Sequence, residues 1–147
     1  MRKRNPKASG TIALSNKSEI RKVCDALLGA LWSLKYTEQD QFAIHLSADE
    51  AITNAIIHGN KENPKKSVRV EYEVFTDKVV IAVTDEGEGF DFRHLEDCTD
   101  PKHLLENHGR GVCLMRKFMD EISFTDKGNS VRMVRLRGSK KGREEAI

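Results

Sequence analysis

Cysteine is scarce in this chain of 147 residues, and Cys24, Cys98 and Cys113 form an odd set with no C-x-x-C spacing. That argues against a disulfide framework and a zinc site, and makes free thiols in a reducing cytoplasm the expected state. Long apolar runs are also missing. No stretch reaches the roughly 18 consecutive apolar residues of a membrane span, and Met1-Arg2-Lys3-Arg4 leads into no apolar export segment. Neither export nor a membrane location is expected. Aromatic residues make up only 6% of the chain, and no aromatic-interleaved basic motif or recognition helix accompanies its basic ends, so direct nucleic-acid binding is not expected either.

What is present suffices for one folded domain. Hydrophobic residues make up 38% and charged residues 33%, and apolar segments recur throughout, so disorder is expected only at the ends. The net charge of +2 is unevenly spread. Residues 1–10 carry Arg2, Lys3, Arg4 and Lys7 with no acid, for +4, and residues 135–147 carry five basic residues against Glu144 and Glu145, for +3; the intervening 124 residues are left at −5. The expected organisation is a basic tail over 1–9, a domain over 10–137 and a second flexible tail over 138–147.

Periodicity and turn chemistry order the elements. Thr11 to Leu14 reads as a short edge strand. Ile20, Val23, Leu27, Leu28 and Leu31 have helical spacing within a helix from about Glu19 to Ser33. A second helix runs from Thr37, its N-cap, to His58, with Asp40 as the capping-box acid and Gly59-Asn60 as the stop. Val68 to Val74 alternates with period two, Thr76-Asp77 closes a hairpin, and Val79 to Thr84 is a buried strand ending at Asp85. Residues 87–111 form a loop long enough to suggest a functional flap. A helix from Gly111 to Met119 and strands Glu121 to Thr125 and Ser130 to Leu136 complete an α/β (α+β) two-layer sandwich.

Three segments carry chemistry. On the second helix Glu50 and Asn54 differ by only about 40° at 3.6 residues per turn, so they form one polar stripe among Ala48, Ile52, Ala55 and Ile56. Asn54 offers an oxygen that suits Mg²⁺, and Glu50 is placed to accept a proton from a hydroxyl or water aimed at a γ-phosphate. Asp85-Glu86-Gly87-Glu88-Gly89 ends a strand. Gly109-Arg110-Gly111 opens a helix, where backbone N–H groups and the helix dipole suit a phosphate. His58 has no second ligand at helical spacing and is expected to bond backbone.

In this order the segments resemble the N box (residues 50–59), first glycine box (85–89) and second glycine box (108–115) of the GHKL (Bergerat-fold) ATP-binding family. Within it, the chain resembles the anti-sigma factor serine/threonine kinases of bacterial partner switching. The resemblance implies one mixed, mostly antiparallel sheet covered by helices, with ATP and Mg²⁺ as cofactors. It implies that Asp85 accepts a hydrogen bond from the adenine amino group and that Gly87 and Gly89 admit the base. Asn54 would ligate Mg²⁺, Glu50 would be the catalytic base, and His108, Gly109, Arg110, Gly111 and Val112 would hold the nucleotide beneath a lid over residues 91–108.

The partners so implied are a sigma factor and an anti-anti-sigma (STAS) protein whose serine or threonine is phosphorylated. Arg21 and Lys22 on the first helix are the expected partner contacts, and that helix is also the expected surface of a homodimer. Asn107-His108 stands where related kinases often carry a basic residue. Two outcomes follow: Arg110 takes that role, or the domain binds ATP and regulates a partner with little phosphate transfer. A histidine kinase is not expected, because the ten residues before the first strand leave no room for a phosphoacceptor helix. A gyrase-like or chaperone-like ATPase would need a transducer domain, for which 147 residues have no room.

Overall fold

Alternation along five strands buries one face of a single sheet. A computed structural model describes residues 4–89, 107–125 and 127–143, with the backbone alone for 107–111. Strands β1 (Ala8–Leu14), β2 (Val68–Val74), β3 (Lys78–Thr84), β4 (Glu121–Phe124) and β5 (Ser130–Leu136) lie in the order β1-β2-β3-β5-β4. All four junctions are antiparallel. The expected two-layer fold is therefore present, and its sheet has no parallel pairing among the described residues. β1 is longer than Thr11 to Leu14 because all seven of its residues pair with β2. Gly10 permits this, since a Cβ there would lie 2.7 Å from the ring of Tyr72.

Helices α1 (Ile20–Ser33), α2 (Glu38–Asn54) and α3 (Asn107–Phe118) cover the inner face. Ile20, Val23, Leu27 and Leu31 of α1 are buried in a core with Ile44 and Ile52 of α2 and Val70, Ile81 and Met133 of the sheet. The apolar face of α1 is thus buried against the core within the protomer. Cys24 is free and buried, and desolvation pushes its thiol up to about 11. Cys113 is disulfide-bonded, which corrects the expectation of free thiols at that position; Cys98 lies outside the described residues. No helix among the described residues is long and apolar enough to cross a membrane.

The start of α2 departs from the expected capping box. Thr37 does cap it, its hydroxyl accepting from Asp40 N–H at 3.1 Å. The Asp40 carboxylate, however, turns away from the helix end. It is fully buried, accepting from Arg135 Nε at 2.9 Å and from Gly138 N–H at 2.9 Å. Arg135, also fully buried, further donates to the carbonyls of Phe118, Ser139 and Lys141. One guanidinium thereby joins the start of α2, the end of α3 and the segment after β5. Residues 138–143 are consequently part of the domain rather than a free tail. At the other end Lys7 N–H bonds the Val74 carbonyl and Arg4 pairs with Asp77.

Candidate functional site

Helix α2 ends in a wide turn that builds one wall of a cleft. The continuous helix expected to His58 gives way to a π-type turn over Ala55–Gly59, in which Asn60 N–H reaches the Ala55 carbonyl at 2.8 Å. Such turns recur at functional sites. Lys61 and Glu62 follow with φ of 53° and 58°, both in the left-handed region. The turn brings Gly59 against the end of β3, where a Cβ would lie 2.3 Å from the Asp85 carboxyl carbon. Gly87 is equally constrained, since its Cβ would lie 2.0 Å from the Gly59 carbonyl oxygen. Glycine at both positions is what lets the helix end and the Asp85 loop interlock.

Two asparagines hold this junction. Asn60 is buried; its Nδ2 donates to the Ser67 carbonyl at 3.0 Å, and its Oδ1 accepts from Glu86 N–H at 2.8 Å. From the opposite flank the Asn129 carbonyl accepts from Asp85 N–H at 2.9 Å, and Asn129 Nδ2 donates to the Asp85 carbonyl at 3.1 Å. The backbone of Asp85 is thus held at both its N–H and its carbonyl. Its carboxylate is only partly committed: Oδ1 accepts from Gly87 N–H at 2.8 Å, and Oδ2 has no hydrogen-bond partner among the described residues. Burial raises the Asp85 carboxyl above the ordinary value, outweighing the Gly87 hydrogen bond and the more distant charges of Lys127 and Lys66.

The cleft has about 520 Å³ of empty space including its open mouth. Its apolar walls come from Ala51, Ala55, Val83, Val112, Met115, Phe124 and Val131, and Asn54, His58 and Asp85 are among the polar residues that line it. Of the predicted site residues it therefore gathers Asn54, Asp85, Gly89 and Val112, with Gly87 buried beside Asp85. Gly89 has φ 84°, and a Cβ there would lie 1.7 Å from the Lys127 carbonyl oxygen.

Glu50 stands one helical turn before Asn54, half-buried and outside the cleft lining. No hydrogen bond engages the side chain of Glu50 or Asn54 among the described residues. His108, Gly109, Arg110 and Gly111 lie at the start of α3, which begins at Asn107 rather than Gly111. Gly109 and Arg110 are therefore among the N–H groups that a helix start leaves unpaired. The side chains of 107–111, and the lid expected before them, lie outside the described residues. Arg21 and Lys22 are exposed on α1, Arg21 facing Asp25 at 3.9 Å.

Residues 13–135 match the histidine kinase-like ATPase domain. The chain belongs to this family. All three boxes read from its sequence fall inside the matched span. The anti-sigma F factor of Clostridium beijerinckii is 35% identical to this ATPase domain over 96 residues, covering 62% of this chain and 66% of that protein. The anti-sigma F factor of Heyndrickxia coagulans is 39% identical over 93 residues, 60% of this chain and 62% of that protein. The serine-protein kinase RsbW of Bacillus subtilis is 32% identical over 102 residues, 65% of this chain and 64% of that protein. The match thus spans slightly less than two thirds of each relative. The crystal structure of the RsbU and RsbW domains of a Mycobacterium tuberculosis protein shares the fold, with a TM-score of 0.52 at 15% identity over 86% of this chain and 32% of that one.

Proposed function

We propose that this ATPase domain is an anti-sigma factor and an ATP-dependent protein serine/threonine kinase. It sequesters a sigma factor and phosphorylates a serine or threonine hydroxyl of an anti-anti-sigma, STAS-type protein, in the cytoplasm. The names of its relatives support this reading. The observation that carries it is the Asp85 carboxylate, one oxygen held by Gly87 and the other open to an apolar-walled cleft. An adenine fits there, its amino group donating to Oδ2 and its ring against the apolar walls.

The Asn54 amide, half-buried at the cleft and without a hydrogen-bond partner among the described residues, suits a Mg²⁺ that keeps most of its shell as water and phosphate oxygens. When bound, that ion would neutralise phosphate charge. The N–H groups at the start of α3 favour the phosphates, with Arg110 as their side-chain cation and His108 to Val112 as the surrounding segment. Among the described residues no hydrogen bond engages the Glu50 side chain, and it accepts the proton of the attacking hydroxyl. The new oxygen–phosphorus bond forms as the bond to the bridging oxygen of ADP breaks. Arg21 and Lys22 offer an exposed basic pair to the protein partners.

Incubation with labelled ATP, Mg²⁺ and the STAS protein tests the reading. Glu50→Ala is expected to lower transfer by about 10²- to 10⁴-fold while ATP binding persists. Transfer that survives Glu50→Ala removes Glu50 from this role. Wild-type protein that binds ATP and transfers nothing is a regulatory binding module instead, as the Asn107-His108 departure would allow.

A further inference from the structure

Phe42, Leu46, Glu50 and Asn54 stand one helical turn apart and form a row along α2. Both ends of the row meet α3, which runs antiparallel to α2. Phe42 packs edge-on against Phe118 at the end of α3, with ring centroids 5.7 Å apart and planes at 78°. Asn54 lines the nucleotide cleft together with Val112 and Met115, nearer the start of α3. The row therefore follows the seam between the two helices and winds from the open surface into the site. Phe42 is 59% exposed, Leu46 and Glu50 are half-buried, and Asn54 lines the cleft. Half-buried Leu114, one turn before Phe118 on α3, continues the apolar part of the strip.

Phe42 is exposed yet held in place. Its neighbour Phe118 is buried, and Gly142 lies so close that a Cβ there would collide with the Phe118 ring. Lys117, exposed beside that ring with its Nζ 5.7 Å from the centroid, has no ion pair among the described residues. An aromatic ring fixed from beneath and open above loses little freedom when a partner covers it, as at the aromatic hot spots of protein interfaces.

We propose that this strip docks the phosphoacceptor protein of the kinase reaction and so sets which hydroxyl reaches Glu50; the inference rests on the kinase function proposed for this domain. The partner lays an apolar side chain on Phe42 and Leu46, with an acidic one beside it for Lys117. Phe42 and Glu50 lie about 12 Å apart along the helix at 1.5 Å per residue. That span fixes the distance between the partner's apolar residue and its serine or threonine. The occupant follows from where the row leads. Glu50 lies outside the cleft lining, so a protein hydroxyl approaches it along the outer seam while the nucleotide fills the cleft. A partner bound only for sequestration has no need of the Glu50 end.

Steady-state phosphorylation of the STAS protein by the full chain, at saturating ATP and Mg²⁺, tests the proposal. Phe42→Ala is expected to raise the KM for the protein substrate about 10- to 30-fold, as for an interface hot spot. Its kcat and its KM for ATP are expected to stay within about twofold of wild type, because only uniform binding is lost. Phe42→Leu keeps an apolar contact and is expected to recover most of the loss. Lys117→Glu is expected to raise the same KM by about 3- to 10-fold, an effect that shrinks as salt rises. An unchanged substrate KM in Phe42→Ala overturns the proposal, and so does one that rises only in step with the KM for ATP, because that marks a displaced seam. Loss of sigma factor binding in Phe42→Ala with the substrate KM intact assigns the strip to the other partner and overturns it as well. A wild type that binds the STAS protein and transfers nothing defeats the kinase reading by itself. The dissociation constant of the ATP-bound complex then reports on the strip: a weakening of about tenfold in Phe42→Ala supports it, and none overturns it.

Discussion

Asp40 and Asp85 are both carboxylates withdrawn from water, and they show opposite economies. At Asp40 both oxygens are used, one by Arg135 and one by the Gly138 N–H, and the side chain is fully buried. At Asp85 one oxygen is used and the other faces a cleft, and with no counter-ion in contact among the described residues burial raises its carboxyl despite the more distant Lys127 and Lys66. A satisfied buried acid serves the fold. An acid left half-satisfied beside an open cavity keeps its interaction energy for a ligand.

The largest expected effect breaks the satisfied end. Arg135→Ala leaves Asp40 buried and uncompensated and is expected to cost about 3–5 kcal/mol in denaturant unfolding. The pair Asp40→Leu with Arg135→Met removes both charges and is expected to recover most of that loss. A double variant as unstable as the single would mean that the carbonyl contacts of Arg135 matter more than its charge.

The next effect falls on binding rather than folding. Asp85→Ala is expected to weaken ATP binding by about 10- to 100-fold, as for a lost hydrogen bond to a charged group, with the melting temperature unchanged or slightly raised. The sign follows from linkage. The folded-state value of Asp85 lies above the unfolded one, so its contribution to stability grows as pH falls through the folded value toward the unfolded one. ATP affinity moves the other way, falling as pH drops through the raised value, because the ionised acceptor is lost. Calorimetric titration across mildly acidic pH checks this, and the fall should vanish in Asp85→Asn. Unaltered affinity in Asp85→Ala would remove the carboxylate from the site.

The smallest effect separates surface from site. Arg21→Ala breaks an exposed pair with Asp25 and is expected to change stability by less than about 0.5 kcal/mol. A loss of sigma factor or STAS binding in the same variant would assign Arg21 to the partner surface, and unchanged binding to both would exclude it.

Much of this was legible in the chain itself. The helix and strand periods located nearly every element, and the N box and glycine boxes led to the family that residues 13–135 match. The misreadings share a cause. Asp40 three positions after Thr37 looks like a capping-box acid, and Arg135 looks like one more of the five basic residues over 135–147, at the end of a strand. Their bond joins residues 95 apart in sequence, a separation no local pattern encodes. Asn60 reads as an ordinary stop residue and Asn129 only precedes a strand, because their hydrogen bonds to Glu86, Ser67 and Asp85 exist only once β2, β3 and β5 are side by side.

By itself the sequence determined the element order, the buried stripes and the three chemistry-bearing segments, since backbone geometry and apolar periodicity act over a few residues. Only the tertiary structure decided which polar groups satisfy one another. It turned Asp40 inward to Arg135, ended α2 in a π turn that seats Gly59 on Asp85, and left one oxygen of Asp85 facing the cleft. Hydrogen-bond satisfaction is settled by packing between distant segments, and that packing separates the acid that holds the fold from the acid left half-satisfied beside a cleft.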